Sequence, residues 1–448
     1  MMPIIITKVG SKVDQTQVQC TNLLLHSIKR TVLQTAINPK KKIITNTIWI
    51  LSIVSLFTDT ASEMLYPVMP VFLKHIGFSM LLIGILEGMA EAVAGLSKSF
   101  FGKWSDASTK RLPFVQFGYA LSAISKPMMA AFVFPFWIFL SRTIDRLGKG
   151  IRTGARDAML SDESTFETKG RVFGFHRGMD TLGAVIGPCI ALVYLFYFPN
   201  DYTTLFLMAF VPGIAAIIST LLIKEKIRSA KTDYELSFIK TGKVASVTPK
   251  KFFFSIATYW KTSPVSYRKL VTGLLAFALF NSSDIFLLLK MKASGLNDTT
   301  IIGVYIFYNL VYALAAYPVG IMADKVGLKK TLLIGLLLFC SVYLGFAYTN
   351  SILVYCILFI LYGIYAAATE GISKAIISNL VNKSETATAI GTYSGLQSIA
   401  ALIASTMAGL LWYNFGATAT FVTTAAITIG VICYITSIQI NTVSSTDH

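Results

Sequence analysis

Only 14% of the 448 residues are charged, against 54% hydrophobic. A soluble globular chain carries about 25% charged residues, so this deficit excludes a string of soluble domains. The 5 cysteines contain no Cys-x-x-Cys pair, which leaves neither a disulfide framework nor a zinc site. The 31 glycines follow no collagen-like period, and the apolar content is too high for disorder. No GxSxG, HExxH or GxxxxGK[ST] string is present. Hydrolase, zinc-protease and ATP-driven chemistry therefore lack support: no enzyme, metal or cofactor is expected. Acidic residues are scarce, with 22 Asp and Glu against 39 Lys and Arg and a formal net charge of +17. In a soluble chain that excess would point to nucleic acid. In a membrane chain it reports topology first, and no nucleic-acid partner is expected.

What the sequence does have is long apolar runs. A spanning helix needs about 20 mostly apolar residues. Twelve such runs cover 47–74, 79–101, 112–131, 133–155, 172–198, 203–223, 270–291, 299–322, 331–349, 351–374, 388–411 and 418–438. They are far longer than the roughly 9–11 residues of a barrel strand. The expectation is an all-α membrane protein of twelve transmembrane helices. Placing both termini in the cytoplasm puts most Lys and Arg on that side and leaves Lys74, Lys290 and Lys292 outside. The reverse orientation violates the positive-inside rule. Residues 1–46 lack the apolar core and cleavage site of a signal peptide and read as a cytoplasmic tail. Residues 224–269 read as a basic cytoplasmic linker near anionic headgroups, between bundles at 47–223 and 270–438. Residues 439–448 form a second tail. The expected setting is a monomer in the lipid bilayer of a bacterial cytoplasmic (inner) membrane.

The two halves repeat. Phe57-Thr58-Asp59 in span one faces Phe280-Asn281-Ser282 in span seven, and Lys149-Gly150-Ile151 matches Glu370-Gly371-Ile372. After span two comes Gly102-Lys103-Trp104-Ser105-Asp106, then Lys110-Arg111. After span eight comes Gly320-Ile321-Met322-Ala323-Asp324, then Lys329-Lys330. This Gly-x3-Asp string with a basic pair resembles the signature loop of the major facilitator superfamily. The resemblance covers 47–438 and implies two pseudo-symmetric six-helix bundles. It also implies that Asp106 and Asp324 latch the cytoplasmic helix ends in the outward-facing state, pairing with basic residues and a helix N-terminus. Arg152 and Arg156 are grouped with this latch. Ala107 and Thr109 depart from the pattern in the first copy, and Leu328 in the second. A narrower string, Gly148-Lys149-Gly150-Ile151-Arg152-Thr153 followed by Arg156-Asp157-Ala158, is similar to one in a mostly uncharacterised bacterial and archaeal branch. Arg146-x-x-Lys149-Gly150 resembles a span-four motif whose Arg is implicated in proton coupling in exporters, with Lys where the family has Gln. Gly174-x8-Gly183-x3-Gly187-Pro188 resembles the start of a span-five motif associated with antiporters. As plain physics, those small residues make a packing seam.

Span four carries Arg142, Asp145, Arg146, Lys149, Arg152 and Arg156 within an arc of about 140°. A charge at the bilayer centre costs about 2.5–3.5 kcal/mol, so this stripe is expected to face the bundle interior or water. Candidate counter-charges are Asp59 and Glu63 in span one, and Glu87 and Glu91 in span two. His176, Arg177 and Asp180 in span five are spaced to meet by i,i+3 and i,i+4 contacts. The C-terminal half offers Asp284, Glu370 and Lys374, with tyrosines 305, 308, 312, 362, 365 and 393. These groups read as a substrate and proton pathway, or as ion pairs that hold helices together. The functional expectation is secondary active transport of a small organic solute, anionic or carboxylate-bearing, driven by the proton gradient, with efflux preferred. An uptake permease or a non-transporting receptor on the same fold is the alternative.

Overall fold

The structure, a computed structural model, describes residues 43–225 and 257–439, apart from 67, 70, 71, 74, 75, 78, 79, 109, 133 and 283. For 80–92, 285, 298, 299 and 302 it describes the backbone alone. The N-terminal tail to residue 42, most of the basic linker and residues 440–448 lie outside the described residues.

Helices α1 (Asn46–Glu63), α2 (Met80–Ala107), α3 (Leu112–Ala131), α4 (Pro135–Asp162), α5 (Lys169–Tyr197) and α6 (Tyr202–Leu221) make the first bundle. The second contains α7a (Val265–Ala278), α7b (Ile285–Ala293), α8 (Asp298–Val326), α9 (Leu328–Tyr348) and α10 (Ile352–Asn379). A run from Thr386 to Ser437 completes it, broken at Gly416, where φ is +81°. Only glycine adopts that backbone without strain, and the break separates α11 from α12. Polar side chains start several helices: Thr45 accepts from Ile48 N at 3.3 Å, Asp201 from Thr204 N at 3.2 Å and Asn297 from Thr300 N at 2.8 Å. Each satisfies one N–H that has no partner within its own helix.

Three boundaries depart from the sequence expectation. Regular helix in span one stops at Glu63 rather than 74, ahead of prolines 67 and 70, which lack the N–H a helix needs. Span seven begins at Val265 and is interrupted over 279–284, where Asn281, Ser282 and Asp284 are of residue types whose side chains compete for backbone hydrogen bonds. Helices α4 and α10 run about one to two turns beyond the expected ends at 155 and 374. Those extra turns carry Arg156, Asp157 and their surroundings inward.

Among the described residues, six helical stretches are long and apolar enough to cross a membrane. Helices α1, α3 and α4 fall short because each carries ionisable groups turned inward. Their outer faces are apolar, with Trp49, Phe117, Ile124 and Phe136 exposed, as a lipid-facing surface requires.

The bundles meet along two equivalent seams, α5 against α8 and α2 against α11. Small residues set both. A Cβ on Gly102 would collide with the Ala387 carbonyl, and one on Gly391 with that of Lys98. In the other seam, Gly320 meets Gly170 and Gly174 meets Ala316. Gly183 and Gly187 turn the other way, against the Leu56 and Thr60 carbonyls of α1. The span-five glycines are thus a two-sided packing surface, joining α5 to both bundles. One apolar cluster, including Ile48, Val172, Phe173, Ala323, Ile372 and Ile390, runs through both bundles at the end that carries the Asp106 and Asp324 loops.

Candidate functional site

The α4 stripe points inward. Arg142, Asp145, Arg146, Arg152 and Arg156 are all buried. The first four line a polar cleft whose walls are Asp59, Ser62, Glu63 and Tyr66 on one side and Arg142, Asp145, Arg146, Lys149 and Arg152 on the other. Arg142, Arg146 and Lys149 lie within Coulombic reach of Glu63, and Lys149 is also within reach of Asp59. The side chains of Glu87 and Glu91 lie outside the described residues.

Asp145 is held from behind by a residue the sequence reading missed. Lys126, in the middle of α3, donates to Asp145 Oδ1 at 2.7 Å and to Ser62 at 3.2 Å, and Ser122 donates to the same carboxylate oxygen at 2.5 Å. Its only signal in sequence is a solitary lysine inside an apolar run.

Toward the latch end, the charges join the two bundles. Lys374 of α10 donates to Asp157 of α4 at 2.6 Å, and Arg156 pairs with the other oxygen of Asp157 at 2.9 Å. Arg177 donates to Asp180 at 2.5 Å and to the Tyr312 hydroxyl of α8 at 3.0 Å, and it pairs with Glu370 of α10. Ser55 of α1 donates to Asp180 and accepts from Arg156 at 3.2 Å. His176 Nδ1 stands 3.5 Å from Ser52 Oγ, and its Nε2 is buried without a hydrogen-bond partner. His176 faces α1 instead of closing an i,i+4 bond with Asp180. The whole cluster forms a plug between the cleft and the latch end.

Beyond the plug lie the two loops, and they behave alike. Asp106 accepts from the Ala387 and Thr388 backbone N–H groups, at 3.2 and 2.6 Å, and from the Thr388 hydroxyl at 2.8 Å. Asp324 accepts from Gly170 N at 2.7 Å and Arg171 N at 3.1 Å, and pairs with the Arg171 guanidinium at 2.7 Å. Each carboxylate caps the first turn of a helix in the opposite bundle, where the helix dipole adds about 0.3–1 kcal/mol. Arg111 binds Asp106 at 2.6 Å and Asp162 at 2.5 Å. Burial pushes the Asp106 carboxyl above the usual carboxylate range, while Arg111 and Thr388 oppose the rise. Lys329 ties down the end of α12 through the Thr436 and Ile438 carbonyls, while Lys110 and Lys330 are exposed.

Two residues grouped with the latch belong elsewhere. Arg152 sits 4.5 Å over the Tyr119 ring and lines the cleft, and Arg156 is part of the plug. The reason is the register of α4, which keeps both on its interior face, while Arg111 and the α11 N-terminus already satisfy Asp106.

In the second bundle, Asp284 lies at the break in span seven. It accepts from the Tyr362 hydroxyl at 2.7 Å. Asn281 donates to Tyr365 at 3.2 Å, and Ser282 and Tyr343 share a hydrogen bond at 3.3 Å. Among the described residues no group of His, Cys, Asp and Glu converges as a metal site.

Comparison with known proteins accords with this architecture. The family model of the Major Facilitator Superfamily matches residues 51–308 and 270–439. An uncharacterised MFS-type transporter of Methanocaldococcus jannaschii is 31% identical over 375 residues, covering 84% of this chain and 90% of that one. Citrate exporter 1 of Aspergillus niger is 22% identical over 285 residues, covering 61% of this chain and 52% of its own length. Among solved structures, the E. coli fucose:proton symporter superposes with a TM-score of 0.68 at 11% identity, over 88% of this chain and 99% of that one.

Proposed function

The chain belongs to the Major Facilitator Superfamily, and on that premise we propose that it exports a small anionic or carboxylate-bearing solute, coupled to protons. It is an integral membrane transporter, and its fold offers the solute a route between two bundles by alternating access. The observation that carries the substrate class is the cleft itself: Arg142, Arg146, Lys149 and Arg152 converge on one polar space. Guanidinium groups bind carboxylates through paired, charge-assisted hydrogen bonds. A relative named as a citrate exporter supports the same class.

Asp59 and Glu63 are the carboxylates we assign to the proton, because they share the cleft with the cations. Export is supported by the span-five glycine pattern and by the membrane potential, which is worth about 2.3 kcal/mol per charge per 100 mV to an anion leaving a negative interior. The positive-inside rule places the latch loops and both termini in the cytoplasm of a bacterial cell, which makes the described form closed on the cytoplasmic side.

The test is flux of radiolabelled citrate and shorter di- and monocarboxylates from liposomes under imposed pH gradients and potentials. Flux is expected to respond to both, and Arg146→Ala is expected to lower it at least tenfold with unchanged protein yield. Flux indifferent to pH removes protons from the scheme. Unchanged flux in Arg146→Ala makes the stripe structural.

A further inference from the structure

The two walls facing the central space differ in charge. On the α1–α4 side, every acidic group in the cleft has cations within Coulombic reach. On the other side, Asp284 has none among the described residues: its hydrogen-bond partner is a neutral phenol, Tyr362, at 2.7 Å. Beside it in the same helix break, Asn281 spends its amide N–H on Tyr365, and its Oδ1 is buried with no partner. Two unspent acceptor positions, one of them on a carboxylate, therefore open from one interruption in span seven. Interrupted spans are where transporter folds expose backbone and side-chain polar groups to cargo.

A packed cluster of tyrosines lies beside this spot. The Tyr308 and Tyr362 rings lie 5.1 Å apart, Tyr362 and Tyr365 5.1 Å, and Tyr305 and Tyr308 6.1 Å. Tyr305 also locates this cluster. It lies within Coulombic reach of Asp284 and of Glu63 and Tyr66, which line the polar cleft. The tyrosine cluster thus adjoins the cleft through Tyr305.

We propose that Asp284 and its tyrosines seat a protonated amine of the transported solute, so that the cargo bears an ammonium group as well as an acidic one. The proposal rests on the anionic-solute reading above and narrows it. A carboxylate held away from bulk water, with a neutral phenol as its hydrogen-bond partner, is stabilised in its ionised form by an incoming positive charge, and tyrosine rings attract cations. A hard metal ion demands about six or more oxygen ligands, whereas this spot presents two acceptors beside packed tyrosines. An alkylammonium, with three N–H donors and an apolar stem, matches both features.

The experiment uses the full chain in lipid nanodiscs and three probe series: ω-amino acids of three to eight carbons, the matching monocarboxylates and the matching alkylamines. Binding is read by thermal shift. Expected is tighter binding of the best ω-amino acid than of its monocarboxylate, a loss of at least tenfold in Asp284→Asn, and less than twofold change for the monocarboxylate. Asp284→Glu should restore part of the loss. On the unsubstituted protein, carbodiimide modification of Asp284, followed by mass spectrometry, should slow with the ω-amino acid and not with the monocarboxylate. Equal binding of monocarboxylates and ω-amino acids, no amine binding at all, or an unchanged Asp284→Asn overturns the proposal. If alkylamines bind through Asp284 while Arg146→Ala affects no probe, the amine seat stands and the anionic reading falls. If monocarboxylates bind through Arg146 and Asp284 is irrelevant, the reverse holds.

Discussion

Lys126 is 1% exposed and Asp145 5% exposed, so neither can turn to water when its partner is removed. Breaking a buried ion pair by deleting one member costs about 3–5 kcal/mol, and here Arg142 and Arg146 stay within reach of Asp145, which puts the cost at the lower end. Lys126→Met is therefore expected to destabilise the protein by about 3 kcal/mol, measured by thermal unfolding in detergent, and to abolish transport. Lys126→Met combined with Asp145→Asn should recover most of that stability, since two neutral groups no longer need each other. Asp157 tells a related story. It sits next to Arg156 in the chain, and neighbours on a helix point about 100° apart, so a reading that follows one helical face passes over it. Its three contacts come from residues 156 and 374, and the second of these is visible only once α10 lies beside α4.

The ends of α5, α10 and α11 convert isolated charges into a clasp. Lys169, just before α5 enters the apolar run, reaches across to donate to the Ser378 carbonyl of α10 at 2.8 Å. Cations are favoured there because carbonyls at a helix C-terminus lack partners of their own. Burial at this junction pushes the Lys169 amine down to about 8, with Lys383 adding repulsion and Asp162 opposing it. In the opened form the amine meets water and returns toward about 10.4. Between those values the clasped form binds fewer protons than the open one, so clasping gains as pH rises and is weakest below 8. Electron–electron double resonance between spin labels on the two latch ends should show the clasped distance growing in population from pH 7 to 9.5. Lys169→Met should flatten that dependence.

Across the molecule, the described form is joined at one end by buried ion pairs and by a continuous apolar cluster. Buried pairs contribute little net stability, and that is what a switch needs: closing and opening then differ by a few kcal/mol instead of tens. Lys374 is central, because it carries the link between α10 and α4 at 2.6 Å to a carboxylate that is 1% exposed. Lys374→Met is expected to move the population toward the form open at the latch end by at least tenfold, about 1.4 kcal/mol. A cysteine at Ser52, in a background lacking the native cysteines, reports this as faster maleimide labelling from that side. A labelling rate unchanged by Lys374→Met would show that the seams of glycine and apolar contact hold the end shut without it.

Composition and run length alone determined that this chain spans a bilayer and in how many helices, because a lipid environment forces each spanning segment to satisfy its own backbone and present an apolar face; matched strings such as the two Gly-x3-Asp loops showed that its halves repeat. The same rule makes the charges of α4 conspicuous and turns them inward. Which charge meets which was beyond it. Pairing of Lys126 with Asp145, of Lys374 with Asp157 and of Arg177 with Glu370 depends on helix rotation and on ends that ran longer than hydropathy implies. Those are set by glycine contacts between helices far apart in the chain, and only the packed molecule decides them.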